Sequence, residues 1–475
     1  MPDDIRPVLP RASRPARLAA FLRSCFDWDR PFLRNMLMIA LPLALQELVG
    51  ASLHIVDGMM VSSLGDAAYS GVNQANRFTF IFQLFLFGMS SGGSIFFSQF
   101  WGAKDLRRIR QAMGLTLAMA AGLSMLFSLA GLLFTRQIVA CFLLPGESFD
   151  LAVRYLRIVA PGYVLAAVSL VYAMVTRAAE KPLLPMIASV SGLLTNTVFN
   201  YALIYGKFGF PSMGVEGAAI ATALSYAVIL VINLAFAYGR RLPAGAKLRE
   251  MRCRDRAFIR KFFKTALPVV ANEGLWGMGF TAFSVFYGRM GDVSVAAVNV
   301  TSTISDLVWV LFFSITNAAA ILVGKTLGTG DREKAYLYAK RFLAGGVACG
   351  LIFGLLLALL RLPLVGLYAG LSQEARDKAQ LLLLIASAGL WARAFNCVNV
   401  VGVLRSGGDT VFSMILDAST LWLVGVPLVG LAALVFHWPI EYVYLCTLTD
   451  EVLKIFISVP RFTSRKWMHV LTGKE

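Results

Sequence analysis

Residues 41–60, LPLALQELVGASLHIVDGMM, are apolar enough to cross a bilayer and still contain three titratable side chains. These side chains are Glu47, His54 and Asp57, within eleven positions of one another. A helix turns by about 100° per residue, so the three would share a sector of roughly 80°. Ionisable residues in a span usually face a bundle interior or a watery cavity, and often mark an ion path. The stretch therefore predicts a membrane helix with one polar face.

The rest of the chain repeats this apolar character. Of 475 residues, 58% are hydrophobic and 15% charged, and the mean hydropathy is +0.70, whereas a soluble chain carries about 25% charged residues. The runs are continuous and often reach the roughly 20 residues that a membrane helix needs, which favours helices over alternating strands. We predict twelve spans, at about 35–62, 70–101, 110–134, 150–176, 183–205, 215–238, 258–289, 295–324, 334–360, 378–403, 410–434 and 438–460.

The net charge of +17 is distributed asymmetrically. Both tails and the connections after even-numbered spans hold 33 of the 44 Lys and Arg residues. Because positive loops stay on the cytosolic side, this predicts both termini in the cytosol of a cell with an inner membrane. We expect contact with anionic membrane lipid and no binding of nucleic acid. The six cysteines (25, 141, 253, 349, 397 and 446) form no CxxC pair, so free thiols and no metal site are expected.

The sequence contains an internal repeat, with one copy in each half. A shift of 226 aligns Pro42 with Pro268 and Glu47 with Glu273, and a shift of 228 aligns Arg177 with Arg405. Six spans in each half give both halves the same orientation, and transporters built this way place the solute path between the halves. The predicted division is a tail (1–34), a first six-helix lobe (35–238), a basic linker (239–257), a second lobe (258–460) and a tail (461–475).

Short connections between the spans place Gly before Asp, as in LGDAA, GAKDL, MGDVS, GTGDR and SGGDT. Gly can end one helix in the left-handed conformation, and Asp can cap the next. We therefore expect the five Asp residues to be helix caps and not catalytic groups: Asp66, Asp105, Asp292, Asp331 and Asp409.

These paired LP…D…LG segments, together with SQFWGAKD, GKTLGTGD, LRSGGDT and LTNTVFNYALIYGKFGFPSMGVEGAAIAT, resemble the multidrug and toxin extrusion (MATE) family. The resemblance covers about residues 35–460 and is closer to the DinF-like than to the NorM-like branch. It implies an all-α integral membrane protein of the MOP superfamily, with twelve helices in two pseudo-symmetric lobes. It also implies export of amphipathic or cationic organic compounds, coupled to inward flow of H⁺ or Na⁺, with no other cofactor.

The resemblance also implies where the coupling cation acts. The family's first-helix acid falls on Asp57, and its fifth-helix pair falls on Asn196 and Asn200. Position 200 is Asp in many DinF-like members, so the Asn here favours H⁺ over Na⁺. The acid that NorM-like members use in the tenth helix is absent from LWARAFNCVNVVG. Glu47 and His54 complete the predicted coupling set, and a partly buried carboxyl suits a proton carrier.

Candidates for substrate binding come from the second half, where the equivalent of Asp57 is Phe283. A carboxylate beside an aromatic face suits an organic cation. The predicted substrate-binding residues are Glu273, Trp276, Asn299, Asp306, Asn396 and Asp417. We expect the ion-handling groups themselves to lie mainly in the first half.

Structural roles remain open alternatives for most of these residues. Glu47 and Glu273 repeat, so they fit a shared structural device near the proline kinks, and His54 fits an ordinary core position. Asn196 and Asn200 could bond helices together, and Asp306 and Asp417 could be buried caps.

The expected protein is a monomeric antiporter for a small organic molecule and not an enzyme. One alternative is a flippase for a lipid-linked saccharide, which would need several basic residues for diphosphate. The clear in-span cations are few: Arg77, Arg393 and Lys454. A membrane-embedded transferase would need a DDxxD-like or His–Asp cluster, and a passive channel suits the two unequal halves less well.

Overall fold

The computed structural model describes residues 27–368 and 370–473, and in those ranges it contains helices and no strand. Cys25 and most of the predicted N-terminal tail lie outside the described residues. The twelve long helical segments, named α1 to α12, are Arg30–Ser62, Asp66–Gly102, Leu106–Leu133, Glu147–Val159 with Gly162–Ala178, Leu183–Tyr205, Gly214–Gly239, Arg256–Gly288, Asp292–Gly328, Arg332–Gly366, Gln373–Leu404, Thr410–Leu434 and Ile440–Thr463. The predicted all-helical fold class is confirmed.

Nine of these described segments are long and apolar enough to cross a membrane, and the two helices of α4, bent by 50°, make a tenth. The other two, α7 and α12, are 33 and 24 residues long. α12 carries Asp450, Glu451 and Lys454 within about one turn, which lowers its mean hydropathy. Each of the twelve predicted spans coincides with one segment to within a few residues at either end.

Helix starts follow the predicted caps only in part. Asp105 and Asp331 accept bonds from the backbone N–H three residues later, at 2.9 and 3.0 Å. Asp66 and Asp292 instead begin their helices, and the glycines before them, at φ 103° and 92°, hold the cap position without a side-chain bond. Asp409 precedes α11, but its carboxylate forms a salt bridge and does not cap, so the prediction is wrong at three of five positions.

Apolar packing forms one core in α1–α6, here called the first half, and this core also includes the start of α7. Another core lies in α7–α12, the second half. A third core joins the start of α1 to α8, α9 and α10. Across the halves, α1 packs against α8, and α2 packs against both α7 and α8. The central helices of the two repeats therefore meet directly.

The two halves are clamped together where α2 and α8 end. Gly102 lies against the backbone of Lys325, and Gly328 lies against that of Gln99, so any Cβ at either glycine would clash. Lys325 also pairs with Glu180 of the first half at 2.8 Å. Gln99 donates to the backbone of Ser406 and of the C-terminal segment, at 3.0 and 3.2 Å. This end of the molecule is closed.

Candidate functional site

Asp57 lies in the last third of α1, where it is half-buried and accepts a hydrogen bond from Nδ2 of Asn200. Asn200, on α5, is fully buried and also donates to Oδ1 of Asn196 at 3.2 Å. Asn196 in turn donates to the hydroxyl of Thr222 on α6 at 3.3 Å. The predicted trio of Asp57, Asn196 and Asn200 is thus one polar chain across three helices. Thr222 is an additional member that the sequence reasoning missed.

Other polar groups surround Asp57. The phenols of Tyr155 on α4 and Tyr226 on α6 lie close enough to interact electrostatically with its carboxylate. His54, one turn earlier on α1, interacts with Asp57 in the same way, but its own side chain is exposed. Asp57 therefore has Asn200 as a neutral hydrogen-bond donor and two phenols nearby, with the exposed His54 one turn away.

Glu47 lies apart from this chain. Its charge interacts with Arg177 of α4, whose guanidinium donates to Gln46 at 3.1 Å. The repeat-related pair in the second half is tighter, because Nη1 of Arg405 donates to Oε1 of Glu273 at 2.6 Å with both side chains almost inaccessible. The repeated Glu and the repeated Arg are therefore near each other in both halves, and the direct ion pair is the one between Glu273 and Arg405.

A chain of alternating charges continues from this pair through the second half. Nη2 of Arg405 lies 3.7 Å from Asp417, and Nζ of Lys454 lies 3.5 Å from Asp417 and 3.2 Å from Asp450. Asn272 also donates to Asp417 at 3.0 Å. Alternation of sign is what allows so many ions to be buried, because an unpaired buried charge costs several kcal/mol.

A large cavity lies at the far end of that chain. Its volume is about 500 Å³, within the range of small-molecule sites. Its aromatic lining consists of Trp276, Phe280, Phe283, Tyr287, Trp309 and Tyr444. Its charged lining consists of Asp306, Asp450, Glu451, Arg77, Arg393 and Lys454. We call it the second-half cavity. Arg77 of α2 also lines it, so the cavity faces the first half of the molecule.

The predicted substrate-binding residues divide into two groups around this cavity. Trp276, Asn299 and Asp306 line it. Glu273 and Asp417 lie in the buried ion chain instead, and Asn396 donates to the backbone oxygen and to Oε2 of Glu451 at 2.8 and 2.7 Å. The structure thus separates Trp276 from Glu273, which the sequence reasoning had treated as a pair.

The sequence reasoning missed the acids Asp450 and Glu451, which line the second-half cavity beside Lys454. Buried charged side chains therefore also occur in the second half, beyond the residues that were predicted there. The signal was present in the stretch TDEVLK, residues 449–454, which places three charges within about one turn of a span. A membrane helix tolerates such a cluster only where it faces protein or water.

Comparison with known proteins agrees with this architecture. The sequence profile of the MatE family matches residues 42–202 and 268–453, one block in each half. The multidrug resistance protein MdtK of Edwardsiella ictaluri is 27% identical over 413 residues, covering 84% of this chain and 88% of that protein. The probable multidrug resistance protein NorM of Bradyrhizobium diazoefficiens is 26% identical over 409 residues, covering 84% and 86%.

Solved structures show the same fold. A MATE transporter of Vibrio cholerae, VcmN in its bent form, superposes with a TM-score of 0.82 at 17% identity, covering 92% of this chain and 97% of that one. Both blocks of the family profile fall on the repeated halves, and the helices are those of a multi-pass membrane protein. The chain therefore belongs to the MatE family of membrane transporters.

Proposed function

We propose that this protein is a secondary active antiporter that exports amphipathic or cationic organic compounds in exchange for inward H⁺. The names of its relatives as multidrug resistance proteins support export of such compounds. The placement of Lys and Arg supports a bacterial inner membrane with both termini in the cytosol. We also propose the DinF-like branch, because the tenth-helix stretch LWARAFNCVNVVG contains no acid.

The observation that carries the proposal is the hydrogen bond between Asp57 and Asn200. An amide offers both a donor and an acceptor, so Asn200 can serve either form of the carboxyl. It donates to the ionised form as described, and its buried Oδ1, which has no partner among the described residues, can accept the proton of the neutral form after the amide rotates. Proton uptake at Asp57 thus needs no other ion for compensation.

H⁺ is favoured over Na⁺ for the same reason. A hard cation such as Na⁺ is held by several oxygen ligands, and charged carboxylates strengthen the site. Here the neutral amide of Asn200 contacts Asp57. An Asp at position 200 would instead place a second carboxylate, and a second negative charge, beside Asp57. A proton requires only the single carboxyl oxygen and an acceptor.

The second-half cavity supports the choice of substrate. Its aromatic walls suit a planar organic compound, and Trp276 and Phe280, with ring centroids 4.3 Å apart, present adjoining faces. Asp306 is exposed at this cavity, whereas Asp450 and Glu451 already have partners in Lys454 and Asn396. Asp306 is therefore the acid best placed to pair with an incoming ammonium group.

Coupling then follows from alternating access. When the site opens outward, Asp57 takes up a proton and the substrate leaves; when it opens inward, the proton leaves and substrate binds. Each proton that moves inward across the potential contributes about 2.3 kcal/mol per 100 mV. A few kcal/mol suffice to shift a two-state equilibrium by orders of magnitude.

The flippase alternative gains no support from the cavity. A diphosphate requires a net positive lining, but Arg77, Arg393 and Lys454 are matched there by three carboxylates. An amphipathic cation fits this balanced and aromatic lining better.

Transport into inverted membrane vesicles tests the proposal, because export from the cytosol appears there as uptake into the lumen. A panel of cationic dyes is added outside the vesicles while a pH gradient and a Na⁺ gradient are imposed separately across the membrane. We expect dye transport to follow the pH gradient and to ignore the Na⁺ gradient. Transport driven by Na⁺ alone, or translocation of a lipid-linked saccharide in proteoliposomes without dye transport, would overturn the proposal.

A further inference from the structure

A small cavity lies between the two halves, near their clamped end. Its volume is about 30 Å³, which is close to the share of one water molecule in the liquid. α2 and α4 contribute to it from the first half, and α8 and the end of α10 from the second. We call it the central cavity, and it is lined on one side by Arg177 and on the other by Arg405.

The central cavity lies on the axis that relates the two repeats. Its lining includes five pairs of equivalent positions. Three pairs are 226 positions apart: Ser91 with Asn317, Ser94 with Ala320, and Ile95 with Ile321. Two pairs are 228 positions apart: Arg177 with Arg405, and Ala178 with Ser406. Phe87 and Phe313, also 226 apart, touch across the same axis with ring centroids at 5.4 Å. Arg177 and Arg405 therefore line one cavity from the two halves of the molecule.

The charge of this lining is positive. Among the described residues that line it, none is an acid, and the polar groups beside the two arginines are hydroxyls and one amide. Glu273 and Asp417 contact Arg405, and Glu47 interacts with Arg177, but these carboxylates lie outside the lining. Two guanidinium groups facing one cavity repel each other unless an anion or an oriented dipole separates them.

Both arginines also retain an unused donor. Arg405 is 3% exposed, and within residues 27–368 and 370–473 the buried Nε atoms of Arg177 and Arg405 have no hydrogen-bond partner. A buried donor without an acceptor costs about 1–3 kcal/mol, so the arrangement favours an acceptor in the cavity. The cavity has room for a monatomic anion.

We propose that the central cavity is a chloride site that joins the two halves. A bound chloride would accept hydrogen bonds from both guanidinium groups at once. Because each half supplies one arginine, opening of the clamped end would pull the site apart. Chloride would therefore stabilise the conformation described here, and it would weaken the tendency of the halves to rock open at this end.

This inference does not depend on the proposed efflux. Chloride binding and dye transport are measured separately, so failure of one leaves the other standing. The site adds a regulatory ion that takes no part in the exchange of substrate for H⁺. It also gives the repeated arginines a shared role beyond their interactions with Glu47 and Glu273.

The test uses the purified full-length protein in detergent. Its unfolding temperature is followed while chloride replaces gluconate at constant ionic strength, and crystals grown in bromide are examined for anomalous scattering. We expect the unfolding temperature to rise and then level off with chloride, and a bromide peak between Arg177 and Arg405. Arg177→Gln should need at least tenfold more chloride, and Ser94→Leu, which fills the cavity, should not respond.

Arg154→Gln is the matched control, because this arginine is exposed and pairs with Glu216 away from the cavity. It should respond to chloride like the wild type. Equal unfolding temperatures in chloride and gluconate, a wild-type response from Arg177→Gln, or a cavity that holds only water in the bromide crystals would overturn the proposal. If neither cavity variant folds, the bromide peak in the wild type decides.

Discussion

Substitution of Glu273 by Gln separates a structural role from a substrate-binding role for this residue. Its carboxylate accepts from Arg405 at 2.6 Å, with the two side chains 11% and 4% exposed. In the variant, the amide oxygen can still accept from Arg405, but the charge of Arg405 is balanced by the more distant Asp417, at 3.7 Å. Removal of one partner from a buried pair costs about 3–5 kcal/mol, because the other charge stays buried. We expect a loss near the lower end, about 3 kcal/mol, since Asp417 compensates in part.

The repeat supplies the control for this measurement. Glu47 occupies the equivalent position, but the hydrogen bond of Arg177 goes to Gln46. Glu47→Gln should therefore cost less than about 1 kcal/mol. Reversible unfolding by denaturant in detergent micelles measures both free energies. Equal losses at the two positions, or an unchanged stability of Glu273→Gln accompanied by a large rise in the KM for dye, would refute the reasoning.

Three further predictions concern other sites. Asn200→Asp places a second carboxylate beside the first-helix acid, so Na⁺ should raise the unfolding temperature of this variant and not that of the wild type. Trp276→Ala and Asp306→Asn should each raise the KM for transport of a cationic dye in inverted vesicles about tenfold, at unchanged expression. The reason is that each variant loses a contact worth about 1.4 kcal/mol. An unchanged KM would show that the second-half cavity does not bind the substrate. At Asp409, burial tends to raise the pKa, but contacts with His469 and Arg461 outweigh burial and hold the pKa below its usual range. The salt bridge should therefore stabilise the fold above about pH 4, and this stabilisation should be lost as the pH falls through the lowered pKa of Asp409. When the unfolding temperature is measured between pH 7 and pH 3, Asp409→Asn should lack this part of the pH dependence.

The fold follows from features that a single sequence displays. Long apolar runs predict most of the helices and their approximate ends, since lipid offers the backbone no other partner. The repeat at a shift of 226 relates Pro42 to Pro268, and both lie inside long helices, α1 and α7. The bend within α4 falls at Pro161, between Val159 and Gly162, so the sequence did carry a signal for it that we did not use. The π-helical turns in α10 and α11 were not predicted.

The polar sites were only partly predictable, because their partners come from distant parts of the chain. Asp57 and Asn200 are 143 positions apart, and family resemblance placed them together. The pairing of Glu273 with Arg405 is also remote, but it had a signal: opposite charges repeat in both halves at nearly the same shift. The loop acid Asp409 was misread as a cap because Arg461, 52 positions later, competes for its carboxylate.

The central claim is that Asp57 exchanges its proton for substrate. Calorimetric titration of the purified protein with a cationic dye, in two buffers that differ in ionisation enthalpy, counts the protons released on binding. Asp57→Asn keeps a group that can hydrogen-bond with Asn200, so this variant should fold and should still bind the dye. The account predicts proton release by the wild type and none by Asp57→Asn. Equal release by both proteins would contradict it.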